Sequence, residues 1–297
     1  MSEAVNLTSP TRIRALLEER GLQTSQTMGQ NFLIDANIRD IIVATAAVGP
    51  DDVVLEVGPG LGVITEPLTR LARRVIAVEK DAGFFAWLQE SLGSRPNLEL
   101  IKGDALDLVA ERVPGWGVTQ VVSNLPYSVG SRILMDLFAL PDPPAFITVT
   151  VQLEVAERLK ARVGHPERGL MGVWAQRWYD VKVVKTIHPT CFLPRPKVQS
   201  AIVRLTRHGN VPTADGAFFR ALTRVAFGYR RKQIATILNR SAAELRLDGA
   251  ATTAALGELG IDPQRRPETF DRETWERLAG RLAEGRTQGT SMETTTA

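Results

Sequence analysis

Three groups of residues in this chain of 297 have types and spacings suited to chemistry. The first is a glycine run, Glu56-Val57-Gly58-Pro59-Gly60-Leu61-Gly62, which closes a β-rich stretch and opens one that is apolar at helical spacing. Glycines at such a junction let backbone pass close to a ligand and accept a tight turn. The run is not the dinucleotide fingerprint G-x-G-x-x-G: its third glycine comes one residue early and Val63 stands in the expected place, which counts against a nicotinamide cofactor. The second group is a pair of carboxylates at strand ends. Glu79 lies 21 residues after Gly58, where an acid accepts hydrogen bonds from both hydroxyls of a ribose. Asp104, in Gly103-Asp104-Ala105-Leu106, is positioned to receive an adenine amino group, the plain alternative being a helix cap. Three successive strand ends so equipped point to an adenosine-bearing cofactor.

The third group is Asn124-Leu125-Pro126-Tyr127, directly after a fourth β-rich run. An aromatic amine such as N6 of adenine is a poor nucleophile, because its lone pair is delocalised into the ring. The Asn124 side-chain oxygen and the Leu125 carbonyl can each accept one N–H, drawing the nitrogen towards tetrahedral geometry. Pro126 stiffens the turn and has no N–H of its own. Tyr127 offers a face on which an extruded base can stack. With an activated donor no strong general base is needed, and alignment supplies most of the rate. An ordinary Asn-x-Pro turn is the competing reading.

The elements that must hold these groups alternate between strand and helix over residues 50–150. Val53–Val57, Val75–Glu79, Leu98–Ile101, Gln120–Asn124 and Ala145–Val151 read as strands; Leu61–Leu71, Phe84–Leu92 and Ile133–Leu140 read as helices. This pattern predicts an α/β fold with a parallel doubly wound sheet and its ligand at the carboxyl ends of the strands. Val181–Ile187 and Val198–Leu205 follow a helical stretch and lie too close for a helical crossover, so they are expected to pair antiparallel. Beyond His208-Gly209-Asn210 the character turns helical. The expected division is a sheet domain over 1–210, with an N-terminal helical extension, a small all-α domain over 211–284 and a disordered tail over 285–297.

Net charge is only +3, but it is unevenly spread. Between Arg195 and Arg240 ten basic residues face a single acid, Asp215, a net +9 in 46 residues that leaves −6 for the rest of the chain. A polyanion-facing surface and a solvated basic face both fit. One cysteine, Cys191, excludes an intramolecular disulfide and suits a reducing cytosol, where it is expected to be a buried structural thiol. His165, His188 and His208 lack metal-ligand spacing, so no metal is expected. The first residues do not resemble a signal peptide and no apolar run is long enough to span a bilayer, so a cytoplasmic protein without a membrane partner is expected.

The glycine run with its two carboxylates resembles the S-adenosylmethionine methyltransferase fold. The longer set of blocks is similar to ribosomal RNA adenine N6-dimethyltransferases of the bacterial KsgA type. Those blocks are Gly29-Gln30-Asn31-Phe32-Leu33, Gly58–Gly62, Val78-Glu79-Lys80-Asp81, Gly103–Leu106, Asn124–Tyr127, Gln152–Leu159, Phe192–Val198 with Ser200-Ala201, and Arg230-Arg231-Lys232. The resemblance implies a Rossmann-like sheet, mostly parallel with antiparallel final strands, and a small C-terminal helical domain that helps grip RNA. It implies S-adenosylmethionine as methyl donor, in a site lined by Asn31, Leu33, Gly58, Gly60, Glu79, Asp104 and Asn124. It places the target adenine on Asn124, Leu125, Pro126 and Tyr127, with Phe192 against the other face unless Phe192 is a core aromatic. Arg195, Lys197, Arg230, Arg231 and Lys232 become RNA-binding candidates. The implied reaction puts two methyl groups on each of two adjacent adenosines near the 3′ end of small-subunit rRNA in the pre-small ribosomal subunit, by a monomer. Two rivals remain: a large-subunit rRNA methyltransferase of the macrolide-resistance type, and an RNA-binding assembly factor with secondary methylation. The chain departs from the family pattern at Thr24–Met28, where basic residues are usual, at Gly130-Ser131-Arg132, at Leu153 and at Thr236-Ile237-Leu238.

Overall fold

A computed structural model describes residues 7–22 and 30–285. Residues 24–28 and the tail from 286, on which two of the expectations above fall, lie outside the described residues. The strands are β1 (Phe32–Leu33), β2 (Val53–Val57), β3 (Arg74–Glu79), β4 (Leu98–Lys102), β5 (Gln120–Asn124), β6 (Phe146–Gln152), β7 (Tyr179–Ile187), β8 (Phe192–Leu193) and β9 (Ser200–Arg207). The α-helices are α1 (Pro10–Glu19), α2 (Ala36–Ala46), α3 (Thr65–Leu71), α4 (Ala82–Leu92), α5 (Ala105–Trp116), α6 (Gly130–Phe138), α7 (Leu153–Lys160), α8 (Leu170–Trp178), α9 (Gly216–Gly228), α10 (Ile234–Arg240), α11 (Ala242–Leu245), α12 (Gly249–Glu258) and α13 (Arg272–Glu284).

Seven strands form one sheet in the order β4-β3-β2-β5-β6-β9-β7. The five from β4 to β6 are parallel, and β9 is antiparallel to both β6 and β7. The sheet is therefore mostly parallel with antiparallel final strands, as the resemblance implies. β2 is buried along its whole length, which explains why its sequence is a continuous apolar run interrupted only by Glu56. The chain runs outwards from β2 through β3 to β4, then returns to the other side of β2 to build β5 and β6. That reversal between β2 and β5 makes a crevice at their carboxyl ends. Acidic caps begin the helices that follow: the Asp81 carboxylate accepts from Gly83 N at 2.8 Å, and Asp104 accepts from Leu106 N at 3.0 Å.

Three local outcomes differ from the sequence reading. The helix expected from Leu61 starts only at Thr65, because Gly62 at φ +88° turns the chain first and its N–H goes to Pro59 O at 2.9 Å. β1 and β8, two residues each, form a separate antiparallel ribbon pairing Phe32 with Leu193 and Leu33 with Phe192. Strands so short carry no periodicity to read. The third difference concerns residues 161–177, which the sequence reading leaves with the sheet. The chain divides by packing into one unit of residues 1–160 and 178–209 and a second of 161–177 and 210–297.

The second unit is helical, and α8 is part of its core. Trp174 Nε1 donates to Thr223 Oγ1 at 2.9 Å. Trp275 is fully buried, with its ring centroid 5.0 Å from that of Phe270. Arg177 Nε donates to Glu276 Oε1 at 2.7 Å and its guanidinium to Ala214 O at 2.8 Å, while Glu276 Oε2 accepts from Thr213 N and Ala214 N. Removing one member of such a buried pair strands the other charge. Arg177→Met is expected to lower the unfolding free energy of the helical unit by ~3–5 kcal/mol, to be measured by denaturant unfolding against the unaltered chain.

Candidate functional site

The carboxyl ends of β2, β3 and β5 open on a cleft of about 240 Å³, walled on another side by residues 30–33. It brings together every residue that the resemblance assigns to the cofactor: Asn31, Leu33, Gly58, Gly60, Glu79, Asp104 and Asn124. The glycine loop forms the floor. Gly58 and Gly60 have φ of +66° and +57°, and neither has room for a side chain. A Cβ on Gly58 would lie 3.0 Å from Pro126 Cγ, and one on Gly60 would lie 2.8 Å from Phe32 Cε1. The loop is thus clasped between the Asn-Leu-Pro-Tyr turn and β1.

Glu79 ties this loop to β3. Its Oε2 accepts from Gly60 N at 3.0 Å and its Oε1 from Asp81 N at 2.9 Å. Burial raises its pKa, and these backbone N–H groups oppose the shift. Each oxygen keeps lone-pair capacity for a ligand hydroxyl. Asp104 both caps α5 and holds an ion: Lys80 Nζ lies 2.7 Å from its Oδ2, and that hydrogen bond is the main reason its pKa is lowered. The carboxylate expected to meet an adenine amino group is therefore held ionised, with the cap reading also realised.

Asn124 is fixed by its amide nitrogen. Nδ2 donates to Asn31 O at 2.9 Å, which leaves Oδ1 buried without a hydrogen-bond partner. Leu125 and Pro126 also line the cleft. Tyr127 does not. Its Oη shares a hydrogen bond with Ser200 Oγ, and its ring meets Phe192 edge-on at 6.5 Å between centroids and 70° between planes. Phe192 is 2% exposed and belongs to the core that includes Phe32 and Leu33.

The basic stretch is only partly a surface. Arg204 donates to Ala46 O and Thr148 Oγ1, both at 2.8 Å, and Arg207 pairs with Asp142 at 2.5 Å, so both serve the sheet. Arg195 and Lys197 are exposed in the first unit; Arg231 and Lys232 are exposed in the second, where Arg230 donates to Pro166 O. Cys191 is half-buried rather than buried. Its Sγ lies 3.5 Å from Asp35 Oδ2, and burial together with that carboxylate raises the thiol pKa, which disfavours a nucleophile. Among the described residues no helix is long and apolar enough to cross a membrane.

Glu56 is a cleft residue that the sequence reading quoted but gave no role. It is 2% exposed, and burial pushes its pKa up to about 8 against an opposing hydrogen bond from the Thr65 hydroxyl. The available signal was an acid inside an otherwise apolar strand.

The order of the sheet, with its glycine floor and the Asn-Leu-Pro-Tyr turn beside the switch point, has the architecture of Rossmann-like methyltransferases. A family model described as ribosomal RNA adenine dimethylase matches residues 21–279, and the chain belongs to that family. It is 39% identical to the ribosomal RNA small subunit methyltransferase A of Moorella thermoacetica, over 93% of this chain and 99% of the relative. A dimethyladenosine transferase from Plasmodium falciparum shares the fold with a TM-score of 0.70 at 23% identity, covering 82% of this chain and 94% of that one. The 23S rRNA methyltransferase ErmE superposes with a TM-score of 0.62 at 29% identity, covering 85% of this chain and all of the other.

Glu56 generates a prediction of pH dependence. Its carboxyl holds a proton more tightly in the folded chain than at the ordinary value of 4.5, so folding takes up a proton between about 4.5 and 8. Stability from this group therefore falls as pH rises across that window. Glu56→Gln removes the titration, and its melting temperature is expected to exceed that of the unaltered chain by a margin that widens from about pH 4.5 to about 8. A constant margin in a series of thermal melts would refute the assignment.

Proposed function

We propose that the protein dimethylates N6 of two adjacent adenosines near the 3′ end of small-subunit rRNA, with S-adenosylmethionine as methyl donor. The observation that carries this reading is Asn124: it lines the cleft, its Nδ2 is committed to Asn31 O and its buried Oδ1 has no hydrogen-bond partner within the protein. A buried acceptor of fixed direction is the group needed to take an N–H from an aromatic amine.

The donor's fit rests on the cleft itself. Two glycines at positive φ, each closely approached by a neighbouring side chain, form a backbone cradle, and the carboxylates of Glu79 and Asp104 line the same cleft, where they would accept from a ribose and an adenine amine. When bound, the sulfonium supplies a methyl group already activated for attack. The chain's own residues do the rest. Gly58 and Gly60 admit the donor's backbone-facing edge, Glu79 accepts the ribose hydroxyls and Asp104 accepts the adenine amine. Asn124 Oδ1 and the Leu125 carbonyl accept the two N–H groups of the target N6 and turn its lone pair outwards. Tyr127 and Phe192, the latter a core aromatic whose ring meets the tyrosine edge-on, would hold the base. Nothing in the set must act as a strong base, since the proton leaves N6 once the nitrogen is alkylated. Rate comes from alignment.

Arg231 and Lys232, exposed in the helical unit, supply phosphate contacts, as do Arg195 and Lys197 in the sheet unit. The small-subunit target is favoured over the large subunit by the higher identity and nearly complete coverage of the curated relative. The substrate is the assembling small subunit in the cytoplasm.

Incubation with labelled donor and unmethylated small subunits, large subunits or naked rRNA tests this directly. Dimethyladenosine on small-subunit rRNA is the expected product; label on large-subunit rRNA alone would move the enzyme to the other class, and RNA binding without transfer would make it an assembly factor. Asn124→Ala is expected to lower kcat by about 10²–10³-fold, the cost of losing one directed hydrogen-bonding group, with RNA affinity retained in a filter-binding assay. Replacing Arg230, Arg231 and Lys232 together with alanine is expected to flatten the log–log salt slope of RNA binding by about 0.7 per lost contact. An unchanged slope would remove them from the phosphate contacts.

A further inference from the structure

One polar side chain in the quoted blocks has so far been given no role, yet it touches the Asn-Leu-Pro-Tyr turn. Ser200 is fully buried at the first position of β9, paired to Gln152 on β6 and to Ile187 on β7. Its backbone is therefore held by strands on both sides. Its Oγ shares a hydrogen bond with the Oη of Tyr127, a ring mostly shielded from solvent.

We propose that Ser200 is a positioning residue for the methyl transfer, acting as the pivot of the Tyr127 ring. The proposal rests on the reading of Tyr127 and Phe192 as the pair that holds the base. At present the two rings meet edge-on, 6.5 Å apart and 70° from parallel. A flat base needs ring faces, each about 3.5 Å from its own plane, so at least one ring must turn. Phe192 is buried on a ribbon pinned to β1. Tyr127 has the freer motion. In a tyrosine the Cβ, Cγ, Cζ and Oη atoms are collinear, so rotation about that axis changes the ring plane without moving the oxygen. This torsion is broad and roughly two-fold. A hydrogen bond at Oη therefore fixes where the ring axis points while leaving the plane free to turn from edge to face. Without Ser200 the phenol would be a buried hydroxyl lacking a partner, and the axis would tip towards another acceptor. The base would then stack out of line with the Asn124 acceptor.

Three variants test the pivot: Ser200→Ala, Tyr127→Phe and the double substitution. Because Ser200 lies inside the sheet, Tyr127→Phe reports the same bond from its other end, removing one oxygen and keeping the ring. Thermal melting and S-adenosylhomocysteine affinity, measured alongside, register any general loss of structure. Each single variant is expected to lower kcat about tenfold with the KM for RNA changed less than about twofold, as for an interaction that aligns the bound base. The double variant is expected to match the singles rather than multiply them. A Ser200→Ala enzyme within about twofold of the parent in kcat would overturn the proposal, as would losses that multiply in the double variant. Absence of transfer in the parent chain itself would overturn the functional reading, and this proposal with it; only that outcome appears before any substitution is made.

Discussion

The hydrogen bond from Gly60 N to Glu79 Oε2 is the constraint on which the site depends. It joins the loop after β2 to the end of β3, and it requires the loop to turn inwards at two residues with positive φ. Glycine meets that demand twice over, because the same positions are also pressed by Phe32 and Pro126. A side chain at Gly60 would push β1 away; one at Gly58 would push the Asn-Leu-Pro-Tyr turn. The floor of the cleft and its two walls are thus set by one bond and two missing Cβ atoms.

From that point rigidity spreads along a continuous path. Phe32 lies on Gly60 and meets Phe84 in a tilted contact at 5.0 Å between centroids, fixing β1 to α4. β1 holds β8 in register, which places Phe192 beside Tyr127, and Ser200 holds the far end of Tyr127. Asn31, just before β1, offers the carbonyl that orients Asn124. The short ribbon therefore supplies both a wall of the cleft and the ring that meets Tyr127. Such a small sheet is marginal by itself, and the buried aromatics at each of its ends supply its stability.

Much of this was legible in the sequence, for reasons tied to local chemistry. Glu79, Asp104 and Asn124 stand at strand ends, so a correct assignment of β3, β4 and β5 places them together without further information. The parallel sheet follows from strand–helix alternation, and the antiparallel edge from the short link after Ile187. What stayed hidden depends on contacts distant in sequence. β1 meets β8 across some 160 residues with two residues a side. Tyr127 and Ser200 are 73 residues apart, and although Ser200 stands in one of the quoted blocks, nothing in the sequence marks it as the partner of Tyr127. Residues 161–177 read as one more helical stretch, since the burial of Trp174 and Arg177 is decided by α9 and α13. Charge counting also overstated the basic surface. Arg204 and Arg207 belong to the sheet, a use that composition does not distinguish from solvent exposure.

The cleft also shows why binding and selectivity share the same atoms. Asn124 Oδ1 is buried without a partner, and such an atom costs about 1–3 kcal/mol. Against a typical net stability of about 5–15 kcal/mol, that is a heavy load. The fully buried strand β2, and β3 beyond its first residue, offset it. A ligand that brings an N–H to Asn124 relieves the penalty, whereas one of similar shape without it leaves the acceptor stranded in a drier site than before. Discrimination then comes from an unmet hydrogen bond rather than from shape, and a site built to satisfy a polar group rejects the analogue lacking it far more strongly than a hydrophobic pocket rejects a missing methyl group. Under the proposed function, the amide that weakens the free protein is therefore the group best placed to tell an amino-bearing base from one that carries only acceptors at that position.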